Sequence, residues 1–181
     1  MKKIILLCSV LLLGFSPAKL IKTKIGDGIT MSLPSTLIPM ATDDIVNRYP
    51  SVRAPLGAFT NVDRDSDFSV NISATQWPDA DIELAAKFFK SGIYNLYDRV
   101  DIISEGIQTV NKKKFIFYEF ESRVNGNKMK ETERQAIFRY AYVQYYIGKD
   151  RTLVFTFSCP KDRKPEWQET TRAMMKTIKI K

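Results

Sequence analysis

The sequence predicts an α+β fold in which a largely antiparallel sheet is flanked by two helices, and three observations support this. Segments with strand patterns follow one another through short turns at 100–109, 115–123, 137–146 and 152–159. Such short connections permit only antiparallel pairing of successive strands. One segment with apolar residues at helical spacing precedes this series, and another follows it. Together they predict a helix–sheet–helix (α/β/α) sandwich.

The N-terminal segment has the features of an export signal. Two lysines precede an apolar run from Ile4 to Phe15, and Ser16-Pro17-Ala18 supplies a small-residue cleavage site. The run is shorter than the roughly 20 residues that span a bilayer. We therefore expect cleavage of residues 1–18, a single globular domain over 19–181 in the periplasm or outside the cell, and no transmembrane segment after processing.

The part of the chain before the first helix predicts two short hairpins. Gly26-Asp27-Gly28 is a turn signal within 24–33, and the charged turn 63–67 precedes the alternating segment 68–74. Between them, residues 43–49 predict a short helical segment.

Two amphipathic helices complete the prediction. Asp79 or Asp81 is expected to cap the first, and Asp162 the second, because a carboxylate accepts the free amide protons of a first turn. The residues of the two apolar stripes are Ile82, Ala85, Ala86, Phe89, Ile93 and Tyr97 in the first helix, and Trp167, Thr171, Met174, Met175 and Ile178 in the second.

This order of elements resembles the PsbP-like fold. An N-terminal Gly-Ile-Thr-Met-Ser-Leu-Pro strand is followed by a proline-rich segment, a hairpin, a helix, a long meander and a closing helix, over residues 22–180. Extrinsic photosystem subunits, a Ran-binding protein and periplasmic DcrB proteins share that fold. Its members mostly bind other macromolecules and have no common active site. The resemblance therefore implies a binding domain, and it transfers no functional residue to this chain.

The absence of histidine limits the possible chemistry. It removes the usual general base near neutral pH, the commonest metal ligand and every Ser-His or Cys-His nucleophile pair. Ser158 and Lys161 have the spacing of a Ser-x-x-Lys motif, but Pro160 interrupts it. Cys159 is the only cysteine after processing, and we expect it to be buried; the alternative is a reactive thiol, which no histidine could activate. We predict no enzymatic activity and no cofactor.

Three aspartates suggest a cation site that the neighbouring residues contradict. Asp63, Asp65 and Asp67 alternate as at the start of a calcium loop, whose oxygens converge on one cation. Phe68 and Ala74 stand where such a loop needs glycine and a bidentate glutamate. A solvated hairpin turn is the preferred interpretation, and no metal site is predicted.

Glu119 and Glu121 also allow two interpretations. They lie two residues apart on a predicted strand and therefore share a face, as the acid and base of a glycosidase could. They could instead pair with Arg139 or Lys130 across the sheet, which is the interpretation that we favour.

The candidate binding residues belong to a basic cluster and a tyrosine-rich strand. Net charge falls from +8 to +6 once Lys2 and Lys3 are removed, which favours an anionic lipid surface, polysaccharide or acidic protein. Basic residues are otherwise spread along the chain, so nucleic acid is not an expected partner. The candidates are Lys112, Lys113 and Lys114, as an electrostatic contact, and Arg139, Tyr140, Tyr142 and Tyr146, as a stacking platform for sugars, lipids or a peptide.

The tyrosine-rich strand has a structural alternative. Residues 137–146 carry apolar bulk on both faces, so the strand is expected to be central, with its tyrosines in the core. The sequence as a whole predicts an exported, non-enzymatic domain that contacts a partner protein or envelope component. The alternatives are a histidine-free hydrolase, a protein that handles lipids or small ligands, and a subunit of a surface assembly.

Overall fold

A computed structural model describes most of the chain after the predicted signal segment. The described residues are 19–26, 28–50, 53–125 and 136–181. The predicted signal segment, Asp27 of the first predicted turn and Gly126-Asn127 of a later one lie outside them.

The strands of the described residues form two sheets in which all neighbours are antiparallel. In chain order they are β1 (Leu20–Gly26), β2 (Ile29–Pro34), β3 (Ile38–Pro39), β4 (Gly57–Thr60), β5 (Asp67–Ile72), β6 (Arg99–Val110), β7 (Lys113–Val124), β8 (Ile137–Ile147), β9 (Thr152–Pro160) and β10 (Lys179–Ile180). The larger sheet has the order β3-β4-β5-β9-β8-β7-β6, and the smaller has the order β1-β2-β10. The predicted hairpins and the four-stranded meander β6–β9 are confirmed.

The smaller sheet is the part of the topology that the sequence did not predict. Its central strand, β2, pairs with β1 through a local hairpin and with β10 near the end of the chain. β10 has only two residues, Lys179 and Ile180, and so has no alternation of its own to indicate a strand.

Three α-helices accompany the sheets within the described residues: α1 (Thr42–Arg48), α2 (Ile82–Leu96) and α3 (Lys164–Met175). The short helix and both amphipathic helices are confirmed, except that Tyr97 and Ile178, predicted in the apolar stripes, lie beyond the ends of α2 and α3. The capping predictions for Asp81 and Asp162 are wrong, and the side chain of Asp79, the alternative cap, is outside the described part of the structure. Asp81 stands at the N-cap of α2 but makes no side-chain capping hydrogen bond, and Asp162 lies in a 3-10 turn before α3, whose N-cap residue is Arg163.

The two faces of the larger sheet bury separate apolar cores. Ala85, Phe89 and Ile93 of α2 pack on one face, against side chains that include Phe120 and Val143. On the other face, α3 and the smaller sheet together cover the opposite side chains of the same strands; this core includes Ile29, Met31, Leu33, Phe68, Phe155, Phe157, Trp167 and Met174. β8 has neighbours on both sides and contributes to both cores. The predicted helix–sheet–helix sandwich and the central position of β8 are confirmed.

Candidate functional site

The tip of the β6–β7 hairpin is a two-residue turn with an unusual composition. Val110 pairs with Lys113, and the residues between them, Asn111 and Lys112, have φ angles of 47° and 68°. Two successive positive φ values characterise a type I′ turn, in which asparagine suits the first position and glycine the second. Lys112 therefore holds a backbone conformation that its Cβ atom disfavours. The turn is anchored, because Asn111 Nδ2 donates a hydrogen bond to the carbonyl oxygen of Ile178 at 2.8 Å.

Two basic clefts flank this tip. One, of about 300 Å³, is lined by Ile82, Lys112, Lys113, Lys114, Tyr146 and Ile147. The other, of about 250 Å³, is lined by Lys22, Thr30, Met31, Ser32, Asn111, Lys176, Thr177 and Lys179. Neither set of described lining residues contains an acidic side chain. Two of the predicted site elements, the lysine run and Tyr146, thus meet in one cleft.

We call the lysines of these clefts the lysine cluster: Lys22, Lys112, Lys113, Lys114, Lys176 and Lys179. All are exposed except Lys113, which is half-buried with its Nζ atom 5.7 Å from the centroid of the Tyr146 ring. None of the six forms an ion pair with another residue in the described part of the chain. Six charges of one sign that form no ion pair with a described residue create a positive potential at this end of the sheet, which attracts anions.

The opposite end of the sheet has a different arrangement of charge. Arg48 pairs with Asp67 at 2.8 Å, and Arg163 pairs with Asp63 at 2.8 Å and with Asp65 at 2.9 Å. Burial opposes ionisation of Asp65, but hydrogen bonds from Ser66, Arg163 and Asn61 outweigh it and lower the pKa of its carboxyl.

These pairs also bear on the calcium interpretation of the same three aspartates. Their carboxylates point to two different arginines and do not converge on one point. Among the residues described, no group of three metal-ligating side chains is placed to hold an ion.

Glu119 and Glu121 share a face, as predicted, but their partners come from a different element. Glu119 is 1% exposed and accepts hydrogen bonds from Tyr140 at 3.1 Å, Gln168 at 2.6 Å and Arg172 at 3.0 Å. The expected cross-strand partner Arg139 is opposite Ser122 and so lies on the other face of the sheet. The predicted cross-strand charge pair is therefore corrected: the cation that pairs with Glu119 is Arg172 of α3. Lys130, the other expected partner, lies outside the described residues.

Glu121 is paired in the same way. It contacts Lys161 at 2.6 Å and Lys164 at 2.7 Å, where α3 begins. Hydrogen bonds from these two ammonium groups lower the pKa of the Glu121 carboxyl.

Tyr140 and Tyr142 lie in the core beneath α3. They are 0% and 4% exposed, and their hydroxyls bond to Glu119 and Gln108 respectively. Burial raises the pKa of Tyr142 to about 12 and raises that of Tyr140 as well. The prediction of a stacking platform is therefore corrected. The rings of Tyr140 and Tyr142 belong to the core, and of the three tyrosines only Tyr146 lines a cleft.

Arg139 lies on the face of β8 opposite to that of the three candidate tyrosines. It is the third residue of β8, whereas Tyr146 is near the end of that strand, seven residues or about 23 Å away. Its guanidinium donates to the carbonyl oxygen of Asp65 at 3.0 Å and to Ser158 Oγ at 3.1 Å, so it anchors the loop between β4 and β5.

Cys159 is buried, as predicted. Burial is the main cause that raises the pKa of its thiol to about 12. A thiol with this pKa is protonated at neutral pH and is a poor nucleophile.

A larger open cleft, of about 880 Å³, lies beside the lysine end of the sheet. It forms where β5 ends and β9 begins, and its basic lining residues are Arg53 and Arg151. Sequence reasoning missed this cleft because its lining residues come from segments about 80 residues apart, 71–76 and 150–152, that meet through the pairing of β5 with β9. It missed Lys22, Lys176 and Lys179 for the same reason, since no local spacing relates them to 112–114.

Of the helices in the described ranges, none has the length and apolar character needed to cross a bilayer.

Comparison with known proteins gives structural likeness only. No protein-family model and no curated protein matches the chain. The solution structure of the cyanobacterial PsbP protein CyanoP from Synechocystis is similar, with a TM-score of 0.61, 14% identity and coverage of 93% of this chain and 96% of that one. The Ran-binding protein Mog1p of Saccharomyces cerevisiae has a TM-score of 0.56 at 13% identity, covering 90% of this chain and 96% of its own. The resemblance inferred from element order is thus confirmed, and the chain has the PsbP-like fold.

Proposed function

We propose that this protein is an exported, non-enzymatic binding domain that docks an anionic partner protein or envelope component through the lysine cluster. The observation that carries the proposal is the convergence of six lysines, from three distant parts of the chain, on the tip of one hairpin, where none of them forms an ion pair with a described residue. The export signal predicted at residues 1–18 supports the location in the cell envelope or outside the cell.

The contrast between the two ends of the sheet supports a role in binding. Lysines that repel one another across a small surface slightly decrease the stability of the folded chain. Acidic residues placed near them would remove this repulsion. Four of the chain's 20 acidic residues, Asp63, Asp65, Asp67 and Glu121, pair with basic groups at the opposite end. Lysines left without such partners are available to an external anion.

The candidate catalytic groups favour binding over catalysis. Glu119 and Glu121 are each held by cations from α3 or the turn before it, and the Cys159 thiol is buried with a raised pKa. The sequence also contains no histidine. Among the similar structures, Mog1p is named as a Ran-binding protein, so a domain of this fold can serve to bind another protein.

A pull-down with charge-matched variants tests this proposal. Lys112→Gln/Lys114→Gln removes two charges at the closed end of the β6–β7 hairpin, and Arg99→Gln/Arg123→Gln removes two exposed charges at its open end. We expect the purified protein to retain components of an envelope extract, and only the lysine variant to lose them. Equal retention by both variants, or equal loss, would contradict docking through the lysine cluster.

A further inference from the structure

An exposed apolar rim borders the lysine cluster. Ile82, the first residue of α2, lines the same cleft as Lys112–Lys114. Leu84 and Phe88 follow on α2 and are 58% and 48% exposed. Phe88 lies about 9 Å from Ile82 along the helix axis. Trp77 packs against it with ring centroids 5.2 Å apart. We call the exposed Leu84 and Phe88, together with the half-buried Trp77, the apolar rim.

We propose that the anionic partner of the lysine cluster is the headgroup surface of a bilayer that contains acidic phospholipid, with Leu84 and Phe88 entering the interfacial region. This inference rests on the proposed function and names the partner of the same site. Proteins that lie on a membrane combine exposed apolar side chains with lysines beside them, because the apolar groups enter the lipid while the lysines attract its anionic headgroups.

The type of basic residue favours a lipid surface over a folded acidic partner. Every basic residue that lines the two clefts is a lysine, whereas the aspartates at the opposite end are bound by Arg48 and Arg163. An arginine fork fixes a carboxylate in one geometry, while a lysine is a mobile point charge on a flexible stem. Mobile charges suit headgroups that diffuse and offer no fixed arrangement.

The apolar rim has the residue types expected at such an interface. Tryptophan and phenylalanine place rings at the level of the headgroups, and leucine contributes apolar area. The indole nitrogen of Trp77 donates a hydrogen bond to Thr75 Oγ1 at 3.3 Å, and the ring packs against Phe88. The rim is therefore a small structured patch that needs no folding upon binding.

Vesicle sedimentation of the protein purified after expression of the full chain tests this inference. The vesicles contain either phosphatidylcholine alone or phosphatidylcholine with phosphatidylglycerol. We expect binding to the acidic vesicles only, and we expect salt to weaken it. Each lysine near an anionic surface raises the partition coefficient about fivefold, so Lys112→Gln/Lys114→Gln is expected to lower it about 30-fold. Arg99→Gln/Arg123→Gln changes it by no more than about twofold, because those charges face away from the membrane.

A second variant separates the contribution of the apolar rim to vesicle binding from that of the lysine charges. Leu84→Ser/Phe88→Ser is expected to lower the partition coefficient about tenfold while the dependence on salt remains, since the lysines are intact. Lipids brominated in the acyl chains should quench the fluorescence of Trp77, with Trp167 in the core as an internal reference.

The possible outcomes separate this inference from the proposed function. Absence of binding to acidic vesicles, or equal losses in the two charge variants, overturns the lipid inference. Another outcome is that the protein binds no vesicles while, in the pull-down, only the lysine variant fails to retain an envelope protein. In that case the proposed function stands and the partner is a protein. If both experiments fail, neither proposal survives.

Discussion

The ammonium group of Lys113 lies 5.7 Å from the centre of the Tyr146 ring, although 32 residues separate the two in sequence. This contact joins the lysine run to the tyrosine-rich strand, which the sequence had indicated as two separate candidate sites. Because a ring face attracts a cation, Tyr146 holds Lys113 at the wall of the cleft. Lys112 and Lys114 stay exposed on either side of it.

The turn at the hairpin tip gives the first prediction. Lys112→Gly is expected to increase the free energy of unfolding by about 0.5–1 kcal/mol, because glycine adopts a φ of 68° without steric cost. Lys114→Gly removes the same charge from an ordinary strand position and should decrease stability by a similar amount. Urea denaturation measures both. Destabilisation by both substitutions would show that the turn does not strain Lys112.

The second prediction concerns the ion pair between Glu119 and Arg172 beneath α3. Arg172→Met leaves the carboxylate of Glu119, 1% exposed, without its cation and should cost about 2–3 kcal/mol of unfolding free energy. Glu119→Gln/Arg172→Met should recover at least half of this loss, since a neutral amide oxygen still accepts from Tyr140 and Gln168. Denaturant titration of the two variants measures their free energies of unfolding. A double variant no more stable than Arg172→Met would show that the unpaired Glu119 carboxylate is not the cause of the loss.

Acid sensitivity follows from Glu121. Its pKa in the folded chain lies below the ordinary 4.5, so its ion pairs contribute stability above that pH and lose it as pH falls through the folded pKa. Stability measured between about pH 5 and pH 3 should therefore fall less steeply for Glu121→Gln than for the unsubstituted chain. Replacing both Lys161 and Lys164 by methionine serves as the control and should flatten the curve in the same way. Unchanged slopes in both would mean that these pairs do not persist in solution.

Thiol labelling tests the burial of Cys159. With a pKa of about 12, roughly one thiol in ten thousand is ionised at pH 8, and the side chain is fully buried. In the chain 19–181, an aromatic disulfide reagent should label Cys159 only as fast as the protein unfolds. Ser91→Cys places a thiol on the exposed side of α2 and should react within the mixing time. Rapid labelling of Cys159 in the folded chain would instead indicate a reactive cysteine.

Periodicity predicted the elements well because strands and helices leave local patterns. The alternation along β8 placed Tyr140 and Tyr142 on one face and Ala141 and Val143 on the other, as observed. It could not show that α3 covers the tyrosine face, since this depends on how distant elements pack. The partners of Glu119 were missed for that reason.

The lysine cluster was also only partly predicted, because it depends on how distant strands pair. Lys112, Lys113 and Lys114 were found because they are adjacent in sequence. Lys22 and Lys179 join them because β1 and β10 flank β2, which pairs Lys22 with Ser32 and Lys179 with Thr30. The second pairing closes a separation of about 150 residues, and no spacing along the chain encodes it.

The most direct test of the central claim, that the lysine end of the sheet faces the partner, is site-specific photo-crosslinking in cells that produce the full chain. A photoreactive amino acid at position 114 and the same amino acid at position 123 sit at opposite ends of the β7 strand. We predict ultraviolet-dependent adducts, with protein or lipid, at position 114 and none at position 123. Adducts confined to position 123, or absent from both positions, would contradict the account.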